Sequence, residues 1–204
     1  STLFRNRGDG TFEDVSASAG IASLVGKGMG VVAADLDDDG WIDVFQTNDT
    51  APNFLFQNRG DGRFRDVALE AEVAFDPSGR TTGAMATDAE DVNGDGRMDI
   101  MEKDGWWEQP AKLAGDPVWT FHPFQFAAAG GSQMYAYDVN GDKLADVITS
   151  FAAHGFGLVW YEQVRDKGEI TFKRHVIMST EQKRVPNEYG VCFCELHAID
   201  LVDV

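Results

Sequence analysis

Asp35-Leu36-Asp37-Asp38-Asp39-Gly40-Trp41-Ile42-Asp43 decides the reading of this chain. Oxygen-bearing side chains stand at its first, third, fifth and ninth positions, with a glycine at the sixth. The pattern returns as Asp91-Val92-Asn93-Gly94-Asp95-Gly96-Arg97-Met98-Asp99 and as Asp138-Val139-Asn140-Gly141-Asp142-Lys143-Leu144-Ala145-Asp146. Carboxylates at alternate positions of a tight loop point inward and repel one another unless a cation lies between them. Calcium, a hard cation, takes roughly six to eight oxygens, whereas magnesium demands stricter octahedral geometry. The candidate calcium ligands are therefore Asp35, Asp37, Asp39 and Asp43 in loop one, and Asp91, Asn93, Asp95 and Asp99 in loop two. Loop three offers Asp138, Asn140, Asp142 and Asp146. Position seven, held by Trp41, Arg97 and Leu144, offers a backbone carbonyl. Glycine at position six supplies the sharp turn, and Lys143 departs from that rule in loop three.

The flanks of each loop read as strands. Gly30 to Ala34 is a small apolar run, and Trp41 to Thr47 is β-branched and aromatic. Asn53 to Asn58 predicts a third strand, Arg59-Gly60-Asp61-Gly62 a turn, and Arg63 to Val67 an alternating outer strand. The same plan follows later: Met134 to Tyr137, a loop, Ala145 to Thr149, Phe156 to Glu162, a turn at 166–169, then Ile170 to Ile177. Helical periodicity is nearly absent, with at most one turn over Ala68 to Val73.

Internal repetition sets the architecture. Leu3-Phe4-Arg5-Asn6-Arg7-Gly8-Asp9-Gly10-Thr11-Phe12 recurs from Leu55 to Phe64 at an offset of 52. Trp106-Trp107-Glu108-Gln109 recurs as Trp160-Tyr161-Glu162-Gln163 at an offset of 54, and the acidic loops recur every 47 to 56 residues. That is the length of one four-stranded propeller blade. The fold class is all-β, with four-stranded antiparallel blades. The 204 residues hold about four blades' worth, in approximate units 1–52, 53–105, 106–160 and 161–204, as part of a larger ring of 6–8 blades. Ser1-Thr2-Leu3-Phe4 reads as the middle of a strand. Leu201-Val202-Asp203-Val204 stops as a fourth acidic loop begins, with Asp203 as its first ligand. Both ends are expected to fall inside a blade of a longer chain.

The formal net charge of −17 argues against a nucleic-acid surface, and no apolar run reaches the ~20 residues of a membrane-spanning helix. Cys192 and Cys194, two apart in an expected strand, share a face and read as small buried side chains. An EF-hand would need flanking helices and Glu at position twelve, where the chain has Gln46, Glu102 and Thr149. Arg7-Gly8-Asp9 and Arg59-Gly60-Asp61 occupy the same repeat position, as structural turns would. His122, His154, His175 and His197 lie in different strands or turns, show no shared close spacing, and read as surface or satisfied core positions. Blades converging on one channel could bring His154 or His197 to Glu195 or Tyr189, but no spacing fixes that geometry and no catalytic residue is assigned. Trp106, Trp107, Trp160 and Tyr161 read as packing aromatics. No Ser/His/Asp order, phosphate loop or Cys/His zinc spacing is present.

With those loops and repeats, the sequence resembles the FG-GAP/VCBS repeats, the blades that also form the integrin α-subunit head. Residues 6–15 followed by 16–21 look like bacterial proteins of the ASPIC/UnbV type, and 131–204 looks like another bacterial group of such repeats. The resemblance implies calcium in the loop joining the first two strands of each blade, at the positions named above. It implies an interaction or adhesion scaffold, extracellular, cell-surface or periplasmic, binding protein or carbohydrate without catalysis in this segment. The alternative it leaves open is the propeller portion of a sugar lyase, dehydratase or hydrolase whose catalytic part lies elsewhere.

Overall fold

A computed structural model describes residues 1–112, 118–128, 131, 133–178 and 195–202. Its elements are all strands. β1 (Phe4–Asn6) and β2 (Phe12–Asp14) form a two-stranded antiparallel ribbon. β3 (Gly28–Ala34), β4 (Asp43–Asn48), β5 (Phe54–Asn58) and β6 (Phe64–Asp66) make the first four-stranded antiparallel sheet. β7 (Thr87–Glu90), β8 (Asp99–Glu102), β9 (Gly105–Glu108) and β10 (Thr120–Pro123) make the second. β11 (Met134–Tyr137), β12 (Asp146–Ser150), β13 (Leu158–Asp166) and β14 (Glu169–Met178) make the third. Each four-stranded sheet is a meander in which sequential strands pair, which is the plan of a propeller blade. The sheets are phased differently from repeats counted from residue 1: each begins at the strand that leads into an acidic loop. The ribbon β1–β2 matches β5–β6, the outer pair of the first sheet, at the offset of 52.

The sheets stack through their faces. Leu36, Phe45 and Leu55 of the first pack with Ile100 and Trp107 of the second. Met101 and Trp106 then pack with Met134, Val147, Val159 and Tyr161 of the third. The alternation of strand side chains makes this possible: Ile100 and Met101 are neighbours in sequence, fully buried, on opposite faces of β8. Trp107 is 1% exposed and tilts against Phe45 and Phe121, with ring centroids at 6.0 and 5.0 Å. Truncating such a ring costs about 3–5 kcal/mol. The first strands converge: β3 runs beside β7 and β7 beside β11. Gly30 allows that approach, since a Cβ there would meet the backbone of Ala86 at 3.1 Å. Across the next junction the Asp88 carboxylate accepts from Ala136 N–H at 2.8 Å.

One sequence reading needs correction. Trp41 and Ile42 belong to the loop, not to the second strand, which starts at Asp43. They stay outside, 52% and 53% exposed, because the loop must turn its ninth residue inward before the sheet resumes. Trp41 instead covers the turn at Gly60, where a Cβ would meet the indole at 2.8 Å. The run from Ala68 to Val73 forms turns rather than a longer helix, in line with the sequence reading, with Ala71 N–H donating to Val67 and Val73 N–H to Ala68. Cys192, Cys194 and Tyr189 lie outside the described residues. Among the described residues no helix is long and apolar enough to cross a membrane.

Candidate metal centre

All three acidic loops join the first two strands of a sheet and share one backbone course. Position six has positive φ in each: Gly40 at 88°, Gly96 at 87° and Lys143 at 69°. Position four does too, with Asp38 at 56°, Gly94 at 80° and Gly141 at 81°, which the motif alone did not announce. The first carboxylate organises the turn. Asp35 accepts from the N–H of Asp39 and Gly40 at 3.2 and 2.9 Å. Asp91 accepts from Gly94, Asp95 and Gly96, and Asp138 from Gly141, Asp142 and Lys143, all at 2.7–3.0 Å. The fifth carboxylate accepts from the N–H of position seven: Trp41 at 2.8, Arg97 at 3.0 and Leu144 at 2.9 Å.

The ninth carboxylate is buried and takes a structural role in every loop. Asp43 accepts from Leu36 N–H at 3.1 Å and from Asn58 N–H at 2.7 Å. Asp99 accepts from Val92 at 3.0 Å, Asn93 at 3.4 Å and Gln109 at 2.9 Å. Asp146 accepts from Val139 at 3.0 Å and Gln163 at 2.8 Å. It thus ties the loop to the third strand of its own sheet. Burial pushes Asp43 up to about 6 and Asp99 up to about 7, against the pull of those backbone donors. Burial raises Asp146 as well.

Position three separates the loops. Asn93 and Asn140 donate their amides to Asp95 and Asp142 at 2.9 and 3.0 Å. Arg97 also pairs with Asp95. In loop one the residue is Asp37, which has no proton to give. Asp35, Asp37 and Asp39 bring their carboxylate oxygens within 4.8 Å of one another. Burial raises the Asp37 carboxyl, opposed by a hydrogen bond from Gln57 and reinforced by the charges of Asp39 and Asp35. Hard, closely spaced oxygens without a cationic side chain fit a calcium ion, and these residues would hold it. Asp203 lies outside the described residues.

Two of the histidines share one environment, and both are satisfied by partners, as the sequence reading expected. His122 stacks on Trp106 with ring centroids 4.0 Å apart and meets Glu108 at 2.8 Å. His175 repeats this with Trp160 at 4.3 Å and Glu162 at 2.7 Å. The signal was an offset of 53 between the two histidines, beside the offset of 54 already visible between the tryptophans. Trp106 and Trp107 are buried, as packing residues would be. His154 and His197, both exposed, do meet, with ring centroids 5.3 Å apart. Glu195 reaches Gly155 through its backbone N–H at 2.7 Å. Both Arg-Gly-Asp stretches form turns, Gly8 and Gly60 with φ of 79° and 72°.

Blade-like antiparallel meanders, each with an acidic loop between its first two strands, define a β-propeller class of protein. The chain carries FG-GAP-like repeats, matched over residues 1–46 and 35–101. It is similar to cartilage acidic protein 1 of Homo sapiens, 39% identical over 108 residues, which cover 53% of this chain and 15% of that protein. The Mus musculus protein is 36% identical over 108 residues, covering 53% of the chain and 16% of the relative. The Xenopus tropicalis protein is 41% identical over 71 residues, covering 33% and 11%. The chain therefore spans under a fifth of the length of these relatives, all of them animal proteins.

Proposed function

We propose that this segment is a calcium-stabilised, non-catalytic interaction scaffold that works outside the cell and binds protein or carbohydrate through its blade loops. The observation that carries the reading is loop one, where three carboxylates converge within 4.8 Å. Among the described residues no Lys or Arg pairs with them. Calcium is abundant outside cells, where modules of this kind bind it with dissociation constants of about 10⁻⁴–10⁻³ M. A few millimolar calcium would then stabilise the fold by roughly 1–2 kcal/mol per site, through preferential binding to the folded state. Scanning calorimetry in calcium and in chelator tests this. A melting temperature that rises with calcium supports the reading, and an unchanged one removes its basis.

A further inference from the structure

The three acidic loops are joined to one another by a line of buried and part-buried hydrogen bonds. In loop one, the Leu36 carbonyl accepts from the side-chain amide of Gln109 at 2.6 Å, across 73 residues. Gln109 belongs to the second sheet, directly after β9, and is fully buried. Its backbone N–H donates to Asp99 Oδ1 at 2.9 Å, and the other oxygen of Asp99 accepts from Val92 N–H at 3.0 Å. The Val92 carbonyl accepts in turn from the side chain of Gln163 on β13 at 3.1 Å. Gln163 N–H donates to Asp146 Oδ1 at 2.8 Å, and Asp146 Oδ2 accepts from Val139 N–H at 3.0 Å in loop three. Leu36, Val92, Asp99, Asp146, Gln109 and Gln163 are each at most 1% exposed.

The second link is doubled. Arg165 Nε donates to Gln163 Oε1 at 2.9 Å, and its guanidinium donates to the Val92 carbonyl at 3.1 Å. The first sheet lacks an equivalent latch: at the matching position Asn58 donates to Ile42 of its own loop at 3.0 Å. The ninth carboxylate and the glutamine therefore alternate along the line. Each carboxylate fixes its own loop and the backbone of a glutamine. The glutamine side chain then fixes the loop of the preceding sheet. Buried bonds of this kind cannot be exchanged for water without loss, so ordering at one loop favours ordering at the next.

We infer that the acidic loops act as one coupled unit, with Gln109 and Gln163 as the positioning residues through which one loop senses its neighbour. The structural coupling stands on these contacts alone. Its consequence, that calcium binds the loops cooperatively, rests on the function proposed above.

Amide hydrogen exchange on the whole chain tests the coupling without calcium. Gln109→Leu in chelator should speed exchange at Asp39 and Gly40 about fivefold or more and leave Asp142 unchanged. Gln163→Leu should do the same at Asp95 and Gly96. Asp99→Asn keeps the side chain's shape and should loosen loop one from the neighbouring sheet. Exchange confined to each variant's own sheet, or raised equally everywhere, overturns the inference. With calcium present, Asp35→Ala should weaken calcium at loop two several-fold in the native background and not in Gln109→Leu, as a coupling of this size requires. An equal effect in both backgrounds also overturns it. Absence of calcium binding would refute the cation reading while the exchange result stands.

Discussion

Loop one and loop two follow the same backbone course and differ in what answers their carboxylates. In loop two Asn93 donates to Asp95, Arg97 pairs with the same carboxylate, and Arg165 lies against Gly94, where a Cβ would meet its guanidinium at 3.1 Å. Loop three keeps the Asn140 to Asp142 bond. Loop one replaces the asparagine by Asp37 and adds Asp38, so charge accumulates where the other loops supply a donor. One side-chain exchange at position three thus separates loops whose third residue donates to the fifth carboxylate from a loop in which it adds a further carboxylate.

The largest effect should be the same in both loops. Asp43→Ala or Asp99→Ala strands at least two backbone N–H groups that a buried carboxylate now satisfies. Each should cost about 2–5 kcal/mol in chemical denaturation, in calcium and in chelator alike. A loss seen only in calcium would make position nine a ligand and nothing more.

Acidity should distinguish folded from unfolded chain through the same residues. Asp43 at about 6 and Asp99 at about 7 lie above the ordinary value of 3.8, so the folded state binds their protons more tightly. That contribution is fully present below about pH 4 and is lost as pH rises through 6 to 7. In chelator, stability should fall on the order of 2 kcal/mol between pH 5 and 7.5 from these groups. Glu102, buried at the end of β8 and raised to about 7 by burial, adds in the same direction. Stability that climbs over that interval in chelator would contradict the burial argument.

Exchanging position three sharpens the contrast directly. Asp37→Asn should stabilise the calcium-free protein by about 1–2 kcal/mol, because it removes one of three crowded charges. Asn93→Asp should destabilise it by a similar amount. Thermal melts in chelator decide this, and equal effects of the two changes would erase the distinction. The smallest effect concerns loop three. Lys143 holds a φ of 69° with a Cβ present, as position six of the motif predicted. Lys143→Gly relieves that strain but loosens the unfolded chain, leaving a net gain of roughly 0.5–1 kcal/mol and tighter calcium at this loop. Calorimetric titration showing weaker binding in the variant would contradict it.

Much of this was legible in the sequence because fixed spacing carries the loop. A nine-residue motif with glycine at position six determines which residues turn and where the next strand resumes, and repeated turn residues mark β5–β6. Met134 to Tyr137 was read to the residue. Legibility fell where position in the fold, not spacing, decides. Asp43, Asp99 and Asp146 read as ligands from spacing alone, which does not announce that each is buried and bonded both to its own loop and to the end of the third strand. Gln109 and Gln163 stood in plain view at an offset of 54. Periodicity reveals that they are equivalent, but not that each reaches the neighbouring sheet across 71 or 73 residues.

The proposed function has the acidic loops binding calcium, with loop one requiring it most. A residue-resolved calcium titration followed at the amides of Gly40, Gly96 and Lys143 tests it most directly. Gly40 should shift at the lowest calcium and Lys143 at the highest, with all three saturating by ~10 mM, given the affinities of such modules. Three amides that stay still over that range would contradict the account.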